Sequence, residues 1–113
     1  MGRLLKRGDF LAAARGKRAS TSLFTLQAVA RTKGADELPR VGLTVSRKAG
    51  GAVERNRMRR RLRQAVRQIA PVSAKSGHDY VIIARHQVLG APFPTLLNEL
   101  KSAFGRVHQV KSG

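Results

Sequence analysis

Apolar residues recur along the chain with two different periods, and the period changes where glycine, proline or clusters of polar residues interrupt it. In RVGLTVS, residues 40 to 46, Val41, Leu43 and Val45 alternate with Gly42, Thr44 and Ser46, the two-residue period of a half-buried strand. LFTLQAVA, from Leu23 to Ala30, mixes strand-forming residues in a looser alternation and predicts another strand. YVIIA, residues 80 to 84, is apolar throughout, as suits a strand covered on both faces. Between the last two strands in the chain, Val53, Met58, Leu62, Ala65, Val66 and Ile69 return at helical spacing, and Pro71 is expected to end that helix. After Pro92 and Pro94, TLLNELKSAF places Leu96, Leu97, Leu100, Ala103 and Phe104 on one face of a final helix. Near the start, Asp9 can cap a short helix over about residues 10 to 15 with Gly16 as its stop.

The order helix, strands, helix, buried strand, helix predicts an α/β (α+β) two-layer sandwich in one domain, with a central mixed sheet of about four strands. If the strands at 41 to 46 and 80 to 84 are parallel neighbours, the helix between them is their crossover, right-handed by the general rule. The loop TKGADELP, ending at Pro39, and the turn AKSGHD separate these elements, and no internal repeat interrupts the single-domain reading. The length of 113 residues and a hydrophobic content of 42% allow a real core but not two comfortable ones.

Charge changes this picture. Lys and Arg number 23 against 6 Asp and Glu, a net charge of +17. Self-repulsion on that scale points to a polyanionic partner. It is concentrated in ERNRMRRRLRQAVR, residues 54 to 67, where Arg55, Arg59, Arg63 and Arg67 follow at four-residue spacing. Like charges so placed on a helix cost roughly 0.2 to 0.5 kcal/mol per pair, which an external partner would offset. A solvated helix face normally mixes signs, and here Glu54 stands alone at the N-terminal end, where it suits the helix dipole. Arginine is also the cation that grips phosphate with two parallel hydrogen bonds and stacks on bases. Arg47 and Lys48 extend the basic surface ahead of the helix, and Lys6, Arg7, Arg15, Lys17 and Arg18 add charge near the N-terminus. Gly50 and Gly51 could let backbone amides approach a phosphate, though a plain turn explains them as well.

Catalytic chemistry is hard to find. The six acids are Asp9, Asp36, Glu37, Glu54, Asp79 and Glu99, and no spacing among them suggests a carboxylate pair. His78, His86 and His108 have no metal-ligand spacing, and the absence of cysteine removes thiolate sites and disulfides. There is no nucleophile elbow, P-loop or dinucleotide fingerprint. A cysteine-free chain is compatible with a reducing compartment, and a cytoplasmic location is expected. No apolar run approaches the roughly 18 residues of a spanning helix. The Arg-rich start resembles an organelle transit peptide, but Asp9 and the two glycines around a short helix argue against that. Among the aromatic residues, Tyr80 and Phe104 lie in core patterns, whereas Phe10 opens a short helix flanked by basic residues, where a base could stack.

TVSRKAGGAVERNRMRRRLR resembles the bacterial ribonuclease P protein family, through Ser46, Arg47, Lys48, Gly50, Arg55, Asn56 and Arg57, followed by Arg59, Arg60 and Arg63. LKRGDF, RVGLTVS and GHDYVIIAR extend the likeness over nearly the whole chain. The resemblance implies an accessory subunit of a ribonucleoprotein endonuclease that removes the 5′ leader of precursor tRNA. The RNA subunit would perform the chemistry with Mg2+, held mainly by RNA and substrate. Arg47, Lys48, Arg55, Asn56, Arg57, Arg59, Arg60 and Arg63 would bind the catalytic RNA, while Phe10, Phe24 and Arg15 would meet the leader in a cleft between the sheet and the first helix. It also implies a left-handed βαβ crossover, as in the second domain of ribosomal protein S5, against the general rule. The partners expected are therefore the ribonuclease P RNA subunit and precursor tRNA, with no membrane and no protein partner indicated. The chain departs from the family pattern at Gly51, Glu54, Ala14 and Gln27, and the last two leave the leader cleft poor in stacking residues. Two rivals remain: a general basic RNA-binding protein of ribosomal type, and a basic amphipathic helix at a membrane surface.

Overall fold

The computed structural model describes residues 2–3, 7–31 and 37–108; Lys6, Asp36 and most of the loop before Glu37 lie outside them. The elements are β1 (Gly2–Arg3), α1 (Arg7–Ala14), β2 (Lys17–Ser20), β3 (Phe24–Ala30), β4 (Arg40–Thr44), α2 (Ala52–Ser73), β5 (His78–Ala84) and α3 (Phe93–Val107). They form one mixed sheet in the order β1-β4-β5-β3-β2. β4 and β5 are parallel neighbours, so α2 is the crossover between them, while β3 runs antiparallel to both β5 and β2. The four longer strands match the expected number, and the two-residue β1 adds a parallel edge beside β4.

The continuous apolar run of β5 is explained by burial on two sides. Tyr80, Ile82 and Ala84 join Phe24, Leu26, Ala28 and Val41 in the main core, which α2 closes with Met58, Leu62, Ala65 and Val66 and α3 with Leu96, Leu100, Ala103 and Phe104. Val81 faces the other way, into a smaller cluster with Ala13 of α1 and the half-buried Phe10, Val29 and Ile83. α1 therefore lies on the sheet face opposite α2 and α3.

An ionic cluster fastens this second face. Asp79, 3% exposed, accepts two hydrogen bonds from Arg40, at 2.8 and 2.7 Å, and lies 3.6 Å from Arg31. The bond to Asp79 raises the Arg40 pKa above its ordinary value. Arg40 also reaches Asp9 of α1 at 3.6 Å. Asp9 thus stands inside the first turn of α1 instead of capping it, because the helix begins at Arg7. Gly16 does follow the helix, but for a steric reason: a Cβ there would fall 2.0 Å from the Ala28 carbonyl oxygen. The chain must touch β3 to turn into β2.

The end of α2 and the presence of β2 also differ from expectation. α2 continues through Pro71 to Ser73, since proline removes one amide without forbidding the residues after it from completing a turn. β2 was invisible as a pattern, because KRAS buries a single residue, Ala19.

Candidate nucleic-acid interface

The interface starts at the turn between β4 and α2. Arg47–Ala49 forms a short 3-10 turn in which Arg47 and Lys48 are exposed and Ala49 is buried. Gly51 then precedes α2, and its amide donates to Glu54 Oε1 at 3.1 Å. A side chain at Gly50 would meet Glu54 Oε1 at 3.0 Å, so the glycine makes room for that carboxylate. The Gly50 amide is directed to the Arg47 carbonyl at 3.4 Å. Both glycine amides are thus used within the turn, and the phosphate approach considered for them gives way to the plain-turn reading. His86 completes the junction, its Nδ1 2.7 Å from the Ala49 carbonyl oxygen and its Nε2 3.9 Å from Glu54 Oε2.

Along α2 the core residues Met58, Leu62, Ala65 and Val66 fix the rotation of the helix. The side facing away from them carries Asn56, Arg59, Arg60, Arg63, Gln64 and Arg67, which line one shallow groove. Arg59 donates to Asn56 Oδ1 at 3.0 Å, which orients the amide and ties the Arg-Asn-Arg turn to the groove. Arg57, Arg60, Arg63 and Arg67 are exposed, whereas Arg55 and Arg59 are half-buried. The four-residue ridge is not a straight column, because each step of four advances about 40° around the helix. Arg55 consequently begins on the core side with a buried Nε, Arg67 ends on the open side, and Arg57 stands on the opposite flank from Arg59.

Of the RNA-binding set read from the sequence, Asn56, Arg59, Arg60 and Arg63 share the groove, Arg47 and Lys48 precede it, and Arg55 and Arg57 flank it. Gln64 and Arg67 belong to the same groove, and the signal for them was the i+4 step from Arg60 and Arg63. Arg61 belongs elsewhere. Its Nε donates to the Val88 carbonyl at 3.1 Å, its Nη2 donates to the Ala91 carbonyl, and its guanidinium lies 5.9 Å from the centre of the Phe93 ring. It staples α2 to the segment joining β5 and α3.

The leader-cleft residues separate. Phe10 is half-buried on α1 against Val81, and Arg15 is exposed just beyond that helix. Phe24 is completely buried in the main core, on the α2 and α3 side of the sheet, and has no surface to offer a base. Its alternation with Thr25 and Gln27 decides this, since those two neighbours face α1. Among the described residues there is no group of three or more His, Cys, Asp or Glu that could hold a metal ion. No described helix is long and apolar enough to cross a membrane.

The Ribonuclease P family model matches residues 2–108. The ribonuclease P protein component of Ruegeria pomeroyi is 44% identical over 109 residues, covering 96% of this chain and 87% of that protein. The Paramagnetospirillum magneticum ribonuclease P protein component is 50% identical over 109 residues, covering 93% and 81%. The solved RNase P protein of Thermotoga maritima superposes with a TM-score of 0.74 at 26% identity, covering 99% of this chain and 100% of that one. The Staphylococcus aureus RNase P protein gives a TM-score of 0.78 at 22% identity, covering 96% of each, and shares the fold. With the basic groove, the Arg-Asn-Arg turn and a family match over nearly its full length, the chain belongs to the ribonuclease P protein family.

Proposed function

We propose that this chain is the protein subunit of ribonuclease P, which binds the catalytic RNA and supports removal of the 5′ leader from precursor tRNA. The observation that carries the reading is the groove of Asn56, Arg59, Arg60, Arg63, Gln64 and Arg67 on the open side of α2. Its arginines present forked donors at successive helical turns to a phosphate backbone. Arg47, Lys48, Arg55 and Arg57 would continue the contact around the start of the helix. On the other sheet face, Phe10 and Arg15 would meet the single-stranded leader, mostly through charge and one ring. Catalysis would belong to the RNA, with Mg2+ held by RNA and substrate, and the ribonucleoprotein would work in the cytoplasm.

Single-turnover cleavage of a precursor tRNA by a bacterial ribonuclease P RNA at low Mg2+, with and without the protein, tests the reading. A gain in cleavage that requires both RNA subunit and protein is the expected result. RNA binding without any gain would replace it with a general basic RNA-binding protein.

A further inference from the structure

A second basic cluster lies at the far end of α2. The helix is 22 residues long, so its ends are about 33 Å apart at 1.5 Å per residue. Beyond its last turn, four chain segments converge: Lys17 opens β2, Lys75 lies in the turn after α2, His78 opens β5 and His108 follows α3. The cluster is held rigidly. Tyr80 Oη accepts a hydrogen bond from the Lys75 amide at 2.8 Å and shares a second hydrogen bond with His108 Nε2 at 2.6 Å. The rings of His78 and His108 meet edge to face at 5.0 Å, and His78 Nδ1 is 2.9 Å from the Ser76 carbonyl oxygen. Lys17 is in register with Ala28, which is in register with Tyr80, so all three occupy one sheet face.

The local potential is positive. Burial first, and then the charges of Lys75, His78 and Lys17, hold the His108 pKa down at about 4, and no carboxylate is among the groups acting on it. Lys17 and Lys75 are exposed, and His78 is partly so. A lysine beside the C-terminus of α2 is favoured by the helix dipole, which accounts for Lys75 but not for Lys17, contributed by a strand.

We propose that Lys17, Lys75 and His78 form a second phosphate-binding surface, gripping an RNA segment separate from the one held at the Arg-Asn-Arg turn. Compact ammonium groups suit sequence-independent contact with a backbone. Two grips some 30 Å apart along one rigid helix would let the protein fix the relative position of two RNA segments, not merely adhere to one. This inference rests on the RNA-binding reading above.

The cysteine-free sequence supplies the test. Val53→Cys and Ser76→Cys each introduce a single attachment point, near the two ends of α2, for an iron chelate that cleaves nearby RNA. Both positions are exposed and leave every cation in place. In complexes with a bacterial ribonuclease P RNA and precursor tRNA, both derivatives should cut, at different RNA segments. In parallel, Lys17→Ala combined with Lys75→Ala should lower RNA affinity severalfold and reduce the log-log salt slope by about 1.4 to 1.8, at roughly 0.7 to 0.9 per phosphate. Cuts from position 53 alone, or an unchanged slope in the double variant, would mean that the second cluster faces solvent and would overturn the proposal. Absence of cuts from both positions would remove the RNA-binding reading itself, and the proposal with it.

Discussion

Arg60 and Arg61 are adjacent in the chain and serve opposite ends. Arg60 points into the open groove, whereas Arg61 donates to the carbonyls of Val88 and Ala91. Arg60→Ala should weaken assembly with the RNA while changing stability by no more than about 0.5 kcal/mol, as for a surface change away from structural contacts. Arg61→Met should destabilise by about 1 to 3 kcal/mol, because two half-buried carbonyls lose a charged donor. Urea unfolding and RNA titration of both variants check the pair, and equal effects on stability would refute the division of roles. Within one arginine run, sequence could show the run but not which member turned inward. That choice depends on a carbonyl supplied 27 residues later in the chain. The same holds for Phe24, whose burial follows from the side of the sheet on which α2 and α3 settle.

At the scale of elements, the Arg40 and Asp79 pair ties the strand β4 to β5, and its reach to Asp9 brings in α1. Asp79→Ala should cost roughly 3 kcal/mol, since it leaves Arg40 and Arg31 without their buried partner. A change in urea midpoint too small for that cost would show the pair to be incidental. The end of α3 carries a pH dependence. His108 titrates at about 4 in the fold against an ordinary 6.5, so the folded chain binds fewer protons between those values. Its contribution to stability is complete above about pH 6.5 and is lost as the pH falls towards 4. Urea midpoints at pH 7 and pH 5 should therefore separate in the parent chain and converge in His108→Gln. An undiminished separation in the variant would assign the acid sensitivity elsewhere. The long periodic elements α2, α3 and β5 were legible because each buries a continuous stripe of apolar residues. β2 and the extra turn beyond Pro71 were not, because neighbouring strands and helix cooperativity create them, not the local pattern.

At the scale of the whole molecule, a net charge of +17 is spread over a small sandwich, and its densest part is the side of α2 that the core leaves open. The core fixes the helix rotation, and the side it leaves open is the surface proposed to meet the RNA. Binding that displaces counterions should weaken steeply with salt. The most direct measurement is the slope of log affinity for a bacterial ribonuclease P RNA against log salt, for the parent chain and for Arg57→Ala combined with Arg60→Ala. A steep parental slope that falls by about 1.4 to 1.8 in the double variant, with cooperative unfolding retained, is the expected result. A slope unchanged by losing both arginines would contradict the assignment of α2 as the surface that holds the RNA.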